Sequence, residues 1–471
     1  MTEKFIELGF GQSAEHEIDQ LSISGDFPKW LSGTLLRNGP GTFKVGQQRY
    51  RHWFDGLAMI HRFTLDAGKV SYANKFLESK SYSQAMDQER IMYSEFATDP
   101  CRSLFSRVMS VFHPQVTDSA KVNLTVLSDH FIALAETPIQ VEFDPQTLKS
   151  VGVFQWDKST FGRMNTVHPH TDPSRNQAIN LVTRYGAIST YCFREFTLDS
   201  KELIGRDLAK KKTAQPSYIH SFGITENYLI LVEFPLVVNP INLLLWLKPY
   251  IENFRWEPAR GTKFHIFDKS TGRLVKTLKS AAFFAFHHVN AFEKDNAIFL
   301  DLVTYEDHKI IDAFYIHRLE DPDMSIPPGR LQRFKLSLSG ATNAIESEYL
   351  NQISIEMPSI DYVRVNTKSD YRYVYGIGLR ESKNFYNQIV KIDIQEKENS
   401  TWSEDGCFPG EAIFVPHPDA KSEDDGVLLS VVLDSLRGNS FLLVLSATNL
   451  TEIARAEIPH PVLFGYHGLF V

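Results

Sequence analysis

The chain has 471 residues, 43% hydrophobic and 23% charged, the balance of a globular protein long enough for an extensive core. Its net charge of −8 argues against nucleic acid as a partner. Three well-separated cysteines, Cys101, Cys192 and Cys407, form no CxxC motif, which predicts a reducing compartment rather than a disulfide framework or a zinc ribbon. The first residues have no signal-peptide pattern, so a cytoplasmic location is expected.

One pattern of short strands recurs along almost the whole chain. A strand leads into a turn rich in Asp, Asn, Thr, Ser or Gly, and a second strand follows. Clear copies lie at 63–70, 143–154, 196–205, 267–278, 391–402 and 445–458, with a weaker one at 315–323. Repeats of this size made of strands predict an all-β chain folded as a seven-bladed β-propeller, in one domain over residues 1–471. Similar hairpin turns in another kind of all-β protein are the alternative.

Two apolar segments interrupt this rhythm, at about 101–114 and 234–256. Their helix-like spacing predicts either loops folded over the core or a helical cap whose exposed side rests on a membrane surface. Neither is long enough to span a bilayer, because the more apolar one is broken by prolines and asparagines. The predicted peripheral membrane patch consists of Leu104, Phe105, Phe112, Leu243, Leu244, Leu245, Trp246 and Leu247.

Four histidines share one context, at or near the start of an inner-type strand beside a tight turn. They are His168, His220, His287 and His467. Each taken alone is more simply a hydrogen-bonded interior residue. In a propeller, however, the innermost strands of different blades face one axis, and four neutral imidazoles there suit divalent iron, copper or zinc. The missing Cys ligands and short paired spacings argue against structural zinc and favour a redox metal that binds oxygen.

Three glutamates stand unusually within apolar β runs: Glu136, Glu356 and Glu411. A glutamate in such a position is rarely buried without a partner. Histidine ligands usually donate their far N–H to a carboxylate, so these acids are candidate partners for the histidines.

Several long motifs then occur in order: LLRNGPG (35–41), HWFDGLAMIH (52–61), HPH, SYIHSFGITENY, FHHVNAFE, EAIFVPHPDAKSEDDGVLLSVV (411–432) and YHGLF. Through them nearly the whole chain resembles the carotenoid cleavage oxygenases, a family of non-haem iron enzymes. The resemblance implies a seven-bladed propeller with a helical cap and Fe(II) on the axis.

Carried over by motif, the implied iron ligands are His168, His220, His287 and His467. Their neighbours His170 and His288 are not ligands on this reading. Glu136, Glu356 and Glu411 are expected to partner His220, His287 and His467, which leaves His168 without a carboxylate. Val122 matches a position that crowds one open coordination site. His52, His61 and His417 are interpreted as structural hydrogen-bonders.

The implied reaction is cleavage of one conjugated C=C bond of a carotenoid or apocarotenoid by O2, which gives two carbonyl products without an organic cofactor. Central 15,15′ cleavage of β-carotene to retinal is favoured, with eccentric cleavage nearly as well supported. The family's lignostilbene branch is disfavoured, because a phenol-binding lysine there is Ala135 here. An isomerohydrolase acting on retinyl esters and a metal-free propeller used as a binding scaffold are further alternatives.

Overall fold

The strands form seven antiparallel blades, as the repeats predict. The structure, a computed structural model, describes residues 2–100, 116–154, 163–172, 176–199, 202–244, 248–340, 345–381 and 385–471. Seven sheets of four to six strands make up the β-propeller. They are numbered here as blades 1 to 7 in chain order.

The first three blades carry the N-terminal part of the chain. Blade 1 consists of His16–Ile18, Gly33–Thr42, Leu57–Asp66, Lys69–Phe76 and Gly468–Phe470. Blade 2 consists of Asn123–Leu127, His130–Leu134, Gln140–Phe143 and Ser150–Phe154. Blade 3 consists of Arg163–Asn165, His170–Asp172, Gln177–Arg184, Ser189–Asp199 and Glu202–Thr213.

The remaining four blades carry the rest of the chain, with their strands again given in chain order. Blade 4 consists of Gly223–Ile224, Tyr228–Glu233, Thr262–Asp268 and Leu274–Ser280. Blade 5 consists of Phe284–Lys294, Ala297–Tyr305, Arg330–Ser337 and Glu346–Tyr349. Blade 6 consists of Glu356–Ser359, Tyr373–Gly378, Gln388–Asp393 and Glu398–Trp402. Blade 7 consists of Ser22–Gly25, Cys407–Pro409, Ile413–Pro416, Gly426–Asp434, Asn439–Ser446 and Glu452–Ile458.

The two ends of the chain close the ring. Ser22–Gly25 pairs with Glu452–Ile458 as the outer strand of blade 7, and His16–Ile18 is the outer strand of blade 1. The C-terminal strand Gly468–Phe470 pairs with Gly33–Thr42 on the inner side of blade 1. This closure brings His467, four residues before the C-terminal Val471, to the axis.

The repeated turns are outer hairpins, and their chemistry explains why they resemble one another. In blades 2, 4 and 6 an aspartate carboxylate accepts two backbone N–H groups from the residues that follow it: Asp144, Asp268 and Asp393. Such side-chain caps are the reason that Asp and Asn favour tight turns. The weak copy at 315–323 is wrong as a hairpin, because it contains the helix Ile316–Leu319, and the outer strands of blade 5 follow it.

Strand burial follows position within a blade. All but the first residue of Gly426–Asp434, a middle strand, are buried, whereas Glu452–Ile458, farther out, alternates. Middle strands are covered on both faces by neighbouring blades and therefore read as continuous apolar runs.

Helices are short. Those described are Thr2–Gly9, Lys80–Gln88, Pro240–Leu244, Lys309–Ala313, Ile316–Leu319 and Tyr362–Val365, with 3₁₀ turns at Ile251–Asn253 and Pro258–Arg260. Two small ribbons accompany the blades: Lys44–Val45 with Gln48–Arg49, and Leu236–Val238 with Phe254–Trp256. In the described ranges, no helix has both the length and the apolar character needed to cross a bilayer.

Of the two predicted cap segments, only the second is described by the structure, and that one in part. Segment 101–114 lies outside the described residues. In segment 234–256 the described part is mainly the ribbon Leu236–Val238 with Phe254–Trp256, connected through the one-turn helix Pro240–Leu244. The helix-like spacing there was misleading, because Leu236, Val237 and Val238 are a buried strand between two prolines.

Candidate metal centre

The four predicted histidines meet at the axis. His168 lies between the first two strands of blade 3, and His220 lies three residues before the first strand of blade 4. His287 lies in the inner strand of blade 5, and His467 directly precedes the inner strand of blade 1. One ligand nitrogen from each lies within 4.8 Å of the others. We call these four residues the histidine cluster.

The ring nitrogens face one another in two close pairs. Nε2 of His168 lies 3.2 Å from Nε2 of His220, and Nε2 of His287 lies 3.2 Å from Nε2 of His467. The inward-facing atoms are thus the Nε2 atoms.

Three of the outward-facing Nδ1 atoms contact a glutamate. The distances are 2.7 Å from His220 to Glu136, 2.5 Å from His287 to Glu356 and 2.7 Å from His467 to Glu411. These are the pairs that the resemblance implies. A carboxylate accepts only, so it assigns the proton to Nδ1 and leaves the Nε2 lone pair directed at the axis.

The glutamates are themselves held in place. Tyr218 donates its hydroxyl to Glu136 (2.6 Å), and the backbone N–H of Gly468 donates to Glu411 (2.9 Å). Glu356 accepts from the Tyr305 hydroxyl and from the N–H of Met357. Burial raises the pKa of Glu356 to about 7, and these two hydrogen bonds oppose the shift.

His168 is held in another way. The amide Nδ2 of Asn123 lies 3.4 Å from its Nδ1, and the same amide donates to the carbonyl of Val167 at 2.8 Å. Among the described residues no carboxylate contacts His168, as the resemblance implies. Its loop is instead fixed through the backbone, since Asn165 N–H donates to the Glu136 carbonyl (2.7 Å) and Thr166 N–H to the Leu181 carbonyl (2.9 Å).

The electrostatics favour uncharged rings. Burial, and then the neighbouring imidazoles, hold the pKa of His168 and of His287 well below the usual histidine range. With both Nδ1 protons donated to glutamates, the Nε2 atoms of His287 and His467 present lone pair to lone pair at 3.2 Å. A cation between them removes that repulsion, so this donor set fits a divalent transition metal.

The histidines next to the cluster have partners of their own. His170 contacts the Tyr362 hydroxyl (2.7 Å) and the Phe222 carbonyl (3.1 Å), and Nδ1 of His288 lies 2.7 Å from the Ser221 hydroxyl. The geometry therefore assigns His168 and His287 to the histidine cluster and leaves His170 and His288 outside it.

The motif histidines expected to be structural also make hydrogen bonds. Nε2 of His52 bonds to the Ile311 carbonyl (2.8 Å), and Nδ1 of His61 lies 2.9 Å from the Tyr72 hydroxyl. Nδ1 of His417 accepts from the backbone N–H of Asp419 at 3.0 Å.

A cavity of about 610 Å³ opens beside the cluster and has His220, His287 and His467 in its wall. This volume lies within the range of small-molecule sites. Much of the wall is aromatic: Trp53, Phe54, Phe96, Phe286, Phe314 and Tyr466. Val122 also lines the cavity, and its carbonyl accepts the backbone N–H of His467 at 3.3 Å.

The predicted membrane patch is only partly visible. Leu104, Phe105, Phe112, Leu245, Trp246 and Leu247 lie outside the described residues. Leu243 is partly buried and lines the cavity. Its part in the patch stays a prediction.

Sequence reasoning missed the polar part of the cavity wall. Glu95 and Lys121 both line it and pair with each other. Lys121 directly precedes Val122 in the sequence. That adjacency to a predicted site residue is the one feature of the sequence that could have marked Lys121 as part of the cavity wall.

Comparison with known proteins gives a consistent set of relatives. The family model described as "Retinal pigment epithelial membrane protein" matches residues 10–471. The mitochondrial carotenoid-cleaving dioxygenase of Mustela putorius furo is 34% identical, over 97% of this chain and 94% of that protein. Human β,β-carotene 15,15′-dioxygenase is 32% identical, over 99% of this chain and 95% of that protein.

Solved structures that resemble this chain include related oxygenases. A variant of the Synechocystis apocarotenoid oxygenase superposes with a TM-score of 0.88 at 25% identity, over 100% of this chain and 99% of that one. The cobalt-substituted form of that oxygenase matches with the same TM-score, identity and coverage.

Proposed function

Because the chain belongs to the family of carotenoid cleavage dioxygenases, we propose that it binds Fe(II) on the histidine cluster and cleaves a carotenoid or apocarotenoid with O2. One conjugated C=C bond is broken, and each carbon becomes a carbonyl. The observation that carries the proposal is the opening of one largely apolar cavity onto four inward-facing imidazole nitrogens.

Iron is supported by the donor set and by the relatives. Four neutral nitrogen donors with three carboxylates behind them suit a divalent first-row metal and offset part of its charge. The Synechocystis oxygenase solved in a cobalt-substituted form is a relative that takes a transition metal. Fe(II), when bound, supplies the redox chemistry with O2.

The protein's own part is to bind, orient and exclude water. The glutamates fix the ring orientations, and Val122 narrows the space beside His467. Aromatic faces along the wall suit a flat conjugated chain and can stabilise positive charge that develops on it. No acid–base side chain is required at the reacting carbons.

For the bond, we favour the central 15,15′ position of β-carotene, with retinal as the product. The human relative named for that reaction supports this choice. Eccentric cleavage is the second candidate, supported by the carotenoid-cleaving dioxygenases and the apocarotenoid oxygenase among the relatives. Because one methylene-scale change in an apolar pocket alters discrimination by only about 1–3 kcal/mol, family membership does not fix the bond.

The test is product analysis with iron-reconstituted protein and β-carotene, by chromatography. Retinal as sole product supports central cleavage, and unequal apocarotenal and ionone products support the eccentric alternative. The His170→Ala protein is the matched control, because His170 adjoins the cluster without joining it. Failure to cleave any polyene while iron is bound would overturn the proposal.

The stilbene branch is disfavoured by a buried alanine. Ala135 is buried and lines the cavity where that branch has a phenol-binding lysine. Incubation with phenolic stilbenes tests this alternative, and cleavage of stilbenes but of no polyene would reverse the branch assignment.

Peripheral membrane attachment, a cytoplasmic location and the single-domain organisation remain predictions. The apolar patch defined above is proposed to bring the protein to its lipid-dissolved substrate. Liposome co-sedimentation of wild type and of a triple Ser variant at Leu244, Leu245 and Trp246 tests the attachment. Equal partitioning of the two proteins would show that this patch does not carry it.

A further inference from the structure

A charged pair lies in the wall of the largely apolar cavity. Nζ of Lys121 is 2.6 Å from Oε2 of Glu95, and both residues line the cavity. Their side chains are 5% and 2% exposed. Buried charges of this kind are expensive and are kept only where they are paired or used.

The pair is held rigidly. Oε1 of Glu95 accepts the Thr117 hydroxyl at 2.6 Å, and Thr117 Oγ1 accepts the backbone N–H of Ser119 at 3.2 Å. The next residue, Asp118, accepts the N–H groups of Lys80 and Ser81 at the start of the helix Lys80–Gln88. Thus the carboxylate is anchored to a helix and a buried loop, and the ammonium is anchored to the carboxylate.

The ammonium has bonding capacity left. It carries three N–H groups, and Glu95 is its one hydrogen-bond partner among the residues that the structure describes. Lys121 adjoins Val122, whose carbonyl accepts the backbone N–H of His467. The backbone of Lys121 therefore adjoins the histidine cluster, while its ammonium lies in the cavity wall beside Glu95.

A pure hydrocarbon fits this part of the wall poorly. When it displaces water from the cavity, the remaining N–H groups of Lys121 lose their partners, and a buried donor without a partner is costly. A ligand oxygen restores the bond. A carboxylate would accept from Lys121 but would also face Glu95, whereas a neutral oxygen meets no such repulsion.

We propose that Lys121 and Glu95 form an end-group subsite that selects polyenes with an uncharged oxygen, hydroxyl or carbonyl, at one end. A carbonyl accepts from Lys121, and a hydroxyl can also donate to Glu95. This inference rests on the proposed function: β-carotene remains a substrate, and a polyene with an oxygenated end is the preferred one.

The experiment compares Lys121→Met with Lys391→Met. Lys391 is a matched control, because it is a buried lysine that pairs with Asp424 at 2.6 Å and does not line the cavity. For each protein, kcat/KM is measured with β-carotene, an apocarotenal, the corresponding apocarotenol and the apocarotenoic acid. The Kd of each polyene is measured separately on the iron protein without O2, where no cleavage occurs.

In the wild type we expect the apocarotenal and the apocarotenol to be favoured over β-carotene. Lys121→Met should reduce that preference by roughly 10- to 100-fold, in kcat/KM and in Kd, because a hydrogen bond to a charged donor is lost. Lys391→Met should leave the preference as in the wild type. Preference for the aldehyde alone would assign a carbonyl-specific subsite, and equal preference for aldehyde and alcohol would assign a subsite that donates to any uncharged ligand oxygen.

A second variant tests the sign of the charge argument. Glu95→Gln keeps an acceptor for the Thr117 hydroxyl but removes the negative charge, so binding of the apocarotenoic acid should tighten by roughly 10-fold. An unchanged preference in Lys121→Met, with unfolding stability lowered as in Lys391→Met, would overturn the subsite and leave a structural ion pair. Absence of cleavage with selective binding intact would instead count against the proposed function alone.

Discussion

The histidine cluster consists of two pairs that are held differently. In the pair of His287 and His467 both rings donate to buried glutamates, and both side chains are buried. In the pair of His168 and His220 only His220 has a glutamate, and His168 is oriented by its loop and by Asn123. The Nε2 atoms of each pair are 3.2 Å apart, but the rings are held in different ways. Carboxylates orient both rings of the first pair, whereas in the second pair the backbone of its loop constrains His168.

The difference separates two tasks. A carboxylate fixes the tautomer and also raises the basicity of the ring that it holds, whereas a backbone-held loop fixes only position. We therefore expect the ligand atoms themselves to matter most, the carboxylates less, and the amide beside His168 least.

The largest effect is expected from removing a ring. Replacing any one of the four cluster histidines with Ala should abolish iron binding or cleavage, because the site loses a donor that nothing nearby replaces. Metal analysis of the purified protein and product chromatography measure this. His288→Ala is the control and should keep its iron, since His288 contacts Ser221 outside the cluster. Iron at wild-type affinity in His287→Ala would refute the assignment.

Next come the carboxylates. Glu356→Gln or Glu411→Gln keeps a polar partner for the ring but loses the charge, so iron affinity should fall by roughly 10- to 100-fold. Competition with a chelator of known affinity measures the change. If both variants bind iron and turn over as the wild type does, the glutamates are structural, and the contrast between the two pairs has no functional meaning.

The pH dependence of folding stability tests a histidine whose hydrogen-bond partners are backbone groups, His52. His52 bonds to the Ile311 carbonyl and accepts the Phe54 N–H, and burial lowers its pKa to about 3. Its ordinary pKa is 6.5, so below that value the unfolded chain binds the extra proton and the folded protein does not. The contribution of uncharged His52 to the free energy of unfolding is therefore complete above pH 6.5. It declines as the pH falls toward 3, by up to ~1.4 kcal/mol per pH unit.

Denaturant unfolding of metal-free protein between pH 6.5 and 4 measures that slope, with metal-free His52→Gln as the comparison. The variant should be less stable at pH 6.5, and its slope should be lower by about 1.4 kcal/mol per pH unit, so the two stabilities should converge as the pH falls. Parallel slopes in the two proteins would mean that His52 already titrates in the folded state.

How much the sequence predicts depends on the range of the interaction. The hairpin turns are predictable because Asp144, Asp268 and Asp393 cap them locally. The outer hairpin of blade 5 is not predictable in this way, because it lacks the repeated turn motif and a helical insertion precedes it. The cluster residues could be named from motif context, although their Nε2 distances depend on a ring closure that no local stretch encodes.

Other features depend on contacts with no sequence signature. Lys121 and Glu95 are 26 residues apart on two irregular segments, so nothing in either stretch predicts their pairing. The segment 234–256 has a helix-like spacing although Leu236–Val238 is a strand, because a short apolar run satisfies both periods. Tertiary pairing with Phe254–Trp256 decides in favour of the strand.

The smallest expected effect concerns Asn123. Its amide nitrogen donates to the Val167 carbonyl and lies near Nδ1 of His168, while its oxygen accepts the Leu124 N–H. Asn123→Ala should loosen His168 without removing a ligand, and one ordinary hydrogen bond, about 1 kcal/mol, corresponds to roughly a fivefold loss of iron affinity. The same chelator competition measures it, with Asn399→Ala as a control amide far from the axis on blade 6. A loss as large as that of Glu356→Gln would mean that His168 depends on the Asn123 amide as strongly as His287 depends on its carboxylate, and the two pairs would then be held alike.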